Sequence, residues 1–129
     1  MWASVRLSER YLWLVLDEAI VVLFVAIGRS RHHAGLSLAG MASTTWPFAV
    51  AVVVAGLVLW GRARAVSPWA SGGFVAVVTV AVGMVLRVVS GQGTALAFIV
   101  VALAFNGALM IALRAVVGYV RKRARAQRH

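Results

Sequence analysis

At 129 residues the chain is long enough for one domain. Yet 63% of it is apolar and 12% charged, against roughly 45–50% and about 25% in ordinary globular proteins, which excludes a water-soluble domain. Cysteine is absent, excluding disulfides, thiolate metal sites and cysteine catalysis, and the formal charge of +10 sits between apolar runs, where it reads as a signal of membrane orientation rather than a nucleic-acid surface.

Residues 1–10 form a short basic arm, with Arg6 and Arg10 against Glu9. Residues 11–28 form the first apolar run, and a membrane span needs ~20 residues. Asp17 and Glu18 inside the run, and the lack of an Ala-x-Ala site, argue against a cleaved signal peptide. On a helix Asp17 shares a face with Phe24 and Gly28. Glu18, about 100° further round, shares a lipid-like face with Leu14, Val22 and Val25.

Residues 29–40 are a polar loop that carries Arg29, Arg31, His32 and His33. From Pro47 to Trp60 there is only about 21 Å of helix, too little for a ~30 Å hydrocarbon core. The second helix is therefore predicted over 41–60, with Pro47 in its second turn. Proline removes a backbone donor there, and Thr44 or Thr45 is expected to help satisfy the backbone. A basic loop follows at 61–68.

The third run covers 69–89. Gly72, Ala76, Thr79, Gly83 and Arg87 fall within a stripe ~80° wide on one helix face. Small residues on one face let a neighbouring backbone come close, and Arg87 continues the stripe, so it is expected in a helix–helix contact. Residues 90–93 read as a tight turn. The fourth run, 94–120, gives about 40 Å of helix. It carries Asn106 near its middle and Arg114 toward its end, with Gly107, Arg114 and Gly118 on one face. Residues 121–129 form a basic tail that is expected to fray.

The two hairpins match weakly. Each has an arginine closing its first helix, Arg29 or Arg87, and each enters its second through a threonine and a phenylalanine, Thr45 with Phe48 and Thr94 with Phe98. Parallel repeats of this kind occur in transporters, although a Val/Ala-rich composition alone can produce as many matches.

Four spans place both termini on one side. Most of the Lys and Arg lie there, in the arm, the 61–68 loop and the tail, so both termini are expected to be cytoplasmic. A charge at the centre of a bilayer costs roughly 2.5–3.5 kcal/mol on insertion scales and needs a partner or an escape route. Asp17 and Arg114 fall at similar depth and are expected to pair, the alternative being that Arg114 snorkels to headgroups. Near the other side lie Arg29, His32, His33 and Arg87, with no carboxylate. Carbonyls at helix ends and lipid phosphates are one answer for Arg87. An anion or lipid-headgroup site lined by Arg87, Arg29 and His32 or His33 is the sharper one. Asn106 is a further intramembrane polar residue.

Adjacent histidines without other nitrogen or sulfur ligands do not make a metal or haem site, so neither metal nor cofactor is expected. The tail needs no nucleic acid, since each juxtamembrane basic residue gains ~1 kcal/mol at an anionic leaflet. Ser71 and Ser90 lack a base and its orienter, and the glycines at 91–93 match no phosphate loop. No enzyme activity is expected.

The chain resembles a small prokaryotic family of four-span membrane proteins classed only as a domain of unknown function. The likeness rests on Asp17, on Gly28-Arg29 followed by a histidine, on Pro47-Phe48, on Gly83-Met84-Val85-Leu86-Arg87 with its glycine-rich turn, on Phe98 with Val100-Val101-Ala102, and on Arg114. Leu113 departs from the family pattern, which has tryptophan before the last arginine. The resemblance implies an integral membrane protein and singles out Asp17, Arg29, Arg87 and Arg114, without an activity.

The expected architecture is all-α: a four-helix transmembrane bundle over 11–120 in the plasma membrane. Among functional readings, an accessory or assembly subunit of a larger membrane complex ranks first. A small oligomeric permease or channel-like protein, with an anion site around Arg87, is the alternative.

Overall fold

A computed structural model describes residues 7–31, 35, 37–62, 68–93 and 96–128. Four helices account for nearly all of them: α1 (Leu7–Arg31), α2 (Leu38–Arg62), α3 (Pro68–Val89) and α4 (Leu96–Arg128). Each is long and apolar enough to cross a membrane. Only 17–39% of each apolar window is covered by the rest of the protein, and Val15, Leu57, Val85 and Val100 stand on the open faces. In water so much uncovered valine and leucine would drive association; in a bilayer it meets hydrocarbon.

All four helices are longer than the apolar runs, α3 by a single residue. α2 begins at Leu38 rather than Met41 because Ser37 caps it: the Ser37 hydroxyl accepts the Gly40 N–H at 3.1 Å, and the Ser37 carbonyl accepts the Met41 N–H at 2.8 Å. α1 takes in part of the basic arm. The tail does not fray, since α4 continues to Arg128. Its arginines, lysine, alanines and glutamine are good helix formers, and Arg123 reaches back to Tyr119, donating to the phenol oxygen at 3.1 Å.

The helices form a ring in which each packs on its two sequence neighbours and α4 closes on α1. The α2–α3 and α3–α4 seams are the most extensive and α1–α4 the least. The small-residue stripe of α3 explains the tight seams. Gly72, Ala76, Thr79 and Gly83 are all buried. A Cβ on Gly72 would lie 2.9 Å from the backbone of Ile111 in α4, and one on Gly83 would lie 2.6 Å from the Phe48 ring of α2. The stripe thus serves both of α3's neighbours. At the centre Phe24 sits edge-on to Phe48 and Phe98, with centroids 6.1 and 5.8 Å away, and it tilts against Phe105 at 5.5 Å; Phe48 and Phe98 stack at 6.1 Å.

α3 stops in a Schellman turn. The Gln92 N–H donates to the Arg87 carbonyl at 2.7 Å and the Gly91 N–H to the Val88 carbonyl at 3.1 Å. Gly91 takes the left-handed conformation this requires, with φ +82°.

Candidate functional site

Two groups of charged side chains lie at opposite ends of the bundle. At the end with the termini, Asp17 of α1 and Arg114 of α4 meet in a bidentate ion pair. Nη1 donates to Oδ1 at 2.8 Å and Nη2 to Oδ2 at 2.7 Å. The side chains are only 8% and 5% exposed, respectively, for Arg114 and Asp17. The guanidinium also lies 4.7 Å over the Trp13 ring and donates to the Met110 carbonyl at 3.3 Å. Glu18 takes no part in the bonds of this pair. It is half-buried rather than fully lipid-facing, and its Oε1 is buried without a protein partner. Asn106 stands apart as well. It is fully buried, its amide donates to the Ala102 carbonyl at 2.8 Å, and its Oδ1 has no partner.

At the other end the two hairpin turns come together. Arg29 closes α1 and Arg87 closes α3, where a cation is favoured by the helix dipole. Arg29 Nε donates to the Gly35 carbonyl at 2.8 Å. Arg87 Nε donates to the Gly93 carbonyl at 2.9 Å. In both hairpins the acceptor is a glycine six residues on, a correspondence the sequence match did not include. Arg29 Nη1 then donates to the Thr44 hydroxyl at 2.8 Å, tying α1 to α2. Its guanidinium lies against the α2 backbone at Gly40, where a Cβ would meet Cζ at 2.9 Å. Arg87 Nη2 donates to the Gly93 carbonyl at 2.7 Å, Nη1 donates to the Gln92 Oε1 at 3.0 Å, and the guanidinium lies 4.7 Å over Phe98. Neutral acceptors hold Arg87, with two of its five N–H donors outside these bonds.

Gln92 was not singled out in the sequence. Pro47 has no N–H to give the Ser43 carbonyl four residues before it, and the Gln92 side-chain amide donates to that carbonyl at 3.3 Å. The turn between α3 and α4 thereby repairs a break in α2. The threonines divide the expected role differently. Thr44 accepts from Arg29, whereas the Thr45 hydroxyl is buried without a partner. Thr94, His32 and His33 lie outside the described residues.

Between these turns is a cavity of about 710 Å³, within the ~300–1,000 Å³ range of small-molecule sites. Arg29, Thr44, Arg87 and Gln92 form its polar rim. Phe24, Val25, Ala97, Phe98 and Val101 form its apolar walls, with Val25 of α1 about one helical turn below Arg29 and Val101 of α4 about one turn below Ala97. All three acidic residues of the chain fall within residues 9–18, and the Arg87 guanidinium on the rim is bonded to neutral acceptors. Such a rim suits an anion. Among the described residues no cluster of three or more His, Cys, Asp or Glu exists that could hold a metal.

A family model described as "Protein of unknown function (DUF3054)" matches residues 14–117. No curated protein and no solved structure matches.

Proposed function

Because the chain belongs to this family of proteins of unknown function, we propose from the geometry that it is a non-enzymatic plasma-membrane protein that binds an anion at its hairpin-turn end. The cavity bordered by both Arg29 and Arg87 carries this reading. Arginine presents a planar fork that matches phosphate or carboxylate oxygens. The surrounding apolar walls lower the local dielectric, so a charge-assisted hydrogen bond there is worth more than in water. The cavity stays at one end of the bundle, which favours binding over conduction. No cofactor is needed for it.

The termini belong on the cytoplasmic side in this reading. Arg10 and the Arg121, Lys122, Arg123 and Arg125 cluster then face the anionic leaflet, and the cavity opens toward the outer leaflet. Cysteine is absent from the chain, so single cysteines at Ala126 and at the exposed Ser30 report the orientation through impermeant thiol reagents.

A second reading, accessory subunit of a membrane complex, is favoured by α4, of whose apolar window only 17% is covered within the chain. A stable hetero-complex on purification supports it; a homogeneous protein without partners removes it.

The test of anion binding uses purified protein and inorganic phosphate, read by thermal shift and calorimetry. Wild type is expected to bind. Arg87→Gln is expected to lose at least about tenfold in affinity, the equivalent of 1.4 kcal/mol, while keeping its helical circular dichroism. Equal binding by the variant, or none by wild type to either a phosphate or a lipid phosphate, removes the proposal.

A further inference from the structure

The cavity is amphipathic, and its shape carries the anion reading further. Arg29 and Arg87 stand at its mouth, whereas Val25 and Val101 lie about 6 Å deeper by helical rise. Val101 lines the cavity and is also 57% exposed, so the deep part opens sideways rather than ending in packed protein. The opening lies on α4 beside α1, the least extensive of the four helix seams. A free anion held at the mouth by Arg87 leaves the apolar walls at Phe24, Val25 and Val101 without a ligand to cover them. An anion that already carries hydrocarbon meets those walls with hydrocarbon.

We propose that the ligand of this cavity is an anionic phospholipid, whose headgroup carries net negative charge on its phosphate, and that it enters laterally between α1 and α4. The phosphate sits at the guanidinium of Arg87, with Arg29 at the same mouth, and the acyl chains leave over Val101 into the bilayer. This rests on the anion-binding reading and adds the class of ligand and its route. The chain-bearing part gains no hydrophobic energy over the surrounding lipid, so the headgroup charge supplies the selectivity. A neutral or zwitterionic lipid of the same chain length is accordingly disfavoured at the mouth.

The experiment is native mass spectrometry of the full-length protein released from nanodiscs of phosphatidylcholine containing phosphatidate of matched chains, with inorganic phosphate as a separate arm. The expected result is retention of one phosphatidate, favoured over phosphatidylcholine at least about tenfold, or about 1.4 kcal/mol. Val101→Trp fills the apolar half and leaves both arginines in place, and it is expected to bring the preference down to parity while inorganic phosphate still binds. Arg87→Gln is expected to lose both anions. Phosphatidate retained no better than phosphatidylcholine, or retained undiminished by Val101→Trp, overturns the lipid assignment. If inorganic phosphate binds in that case, the anion site survives; if neither anion binds, both proposals fall.

Discussion

Replacing Asp17 with asparagine keeps the side-chain shape and removes only its charge, so the Arg114 guanidinium is left buried without a counter-ion. The pair is closed by bonds of 2.7 and 2.8 Å, and its side chains are 8% and 5% exposed, so solvent screening gives little relief. Removing one member of a buried ion pair costs about 3–5 kcal/mol. The low end, about 3 kcal/mol, is expected, because a chain unfolded in a micelle still finds polar partners for a stray charge. Arg114→Met leaves the Asp17 carboxylate buried without its counter-ion and gives up the stacking on Trp13, so it should cost a comparable amount. The double variant Asp17→Asn/Arg114→Met should recover part of the first loss, with a coupling of about 2 kcal/mol, within the usual range for contacting residues. Reversible unfolding of the four proteins in SDS–detergent mixtures measures the cycle. Additive effects, or an Asp17→Asn protein within about 0.5 kcal/mol of wild type, would refute the view that this pair fastens α1 to α4.

Other substitutions test the seams and the turn. Gly72→Ala places a methyl group 2.9 Å from the Ile111 backbone and should destabilise by about 1–3 kcal/mol. Gly73→Ala next to it meets nothing within 4 Å and should be neutral or stabilise by about 0.5–1 kcal/mol through helix propensity; the same unfolding assay compares them. Gly91→Ala must hold a side chain at φ +82° and should cost about 1–2 kcal/mol, with faster amide exchange at the end of α3 as the local readout. Gln92→Ala should cost about 1 kcal/mol by stripping the Ser43 carbonyl of its donor, and less in a Pro47→Ala background, where the alanine N–H restores that bond.

Much of the architecture follows from local features of the chain. Run length and composition determined four helices suited to a membrane. The spacing of Gly72, Ala76, Thr79 and Gly83 determined which face of α3 is buried. The Ser90–Gly93 turn followed from glycine chemistry, and the matching depths of Asp17 and Arg114 put their pairing within reach before any tertiary contact was known. Helix ends were less legible, because Ser37 and the Arg/Lys/Ala tail extend helices past the point where apolarity stops.

What only the tertiary structure decided is how the rods are turned and ordered around the ring. In water, apolar faces point inward and give rotation away. In lipid, valine and alanine are as comfortable outside as inside, so faces rich in them carry no sign of which neighbour they meet. The Gln92 amide on the Ser43 carbonyl, Arg29 on Thr44, the four-ring aromatic centre and the cavity between α1 and α4 all depend on that rotation. The sequence determined which groups need partners; packing decided which partners they have.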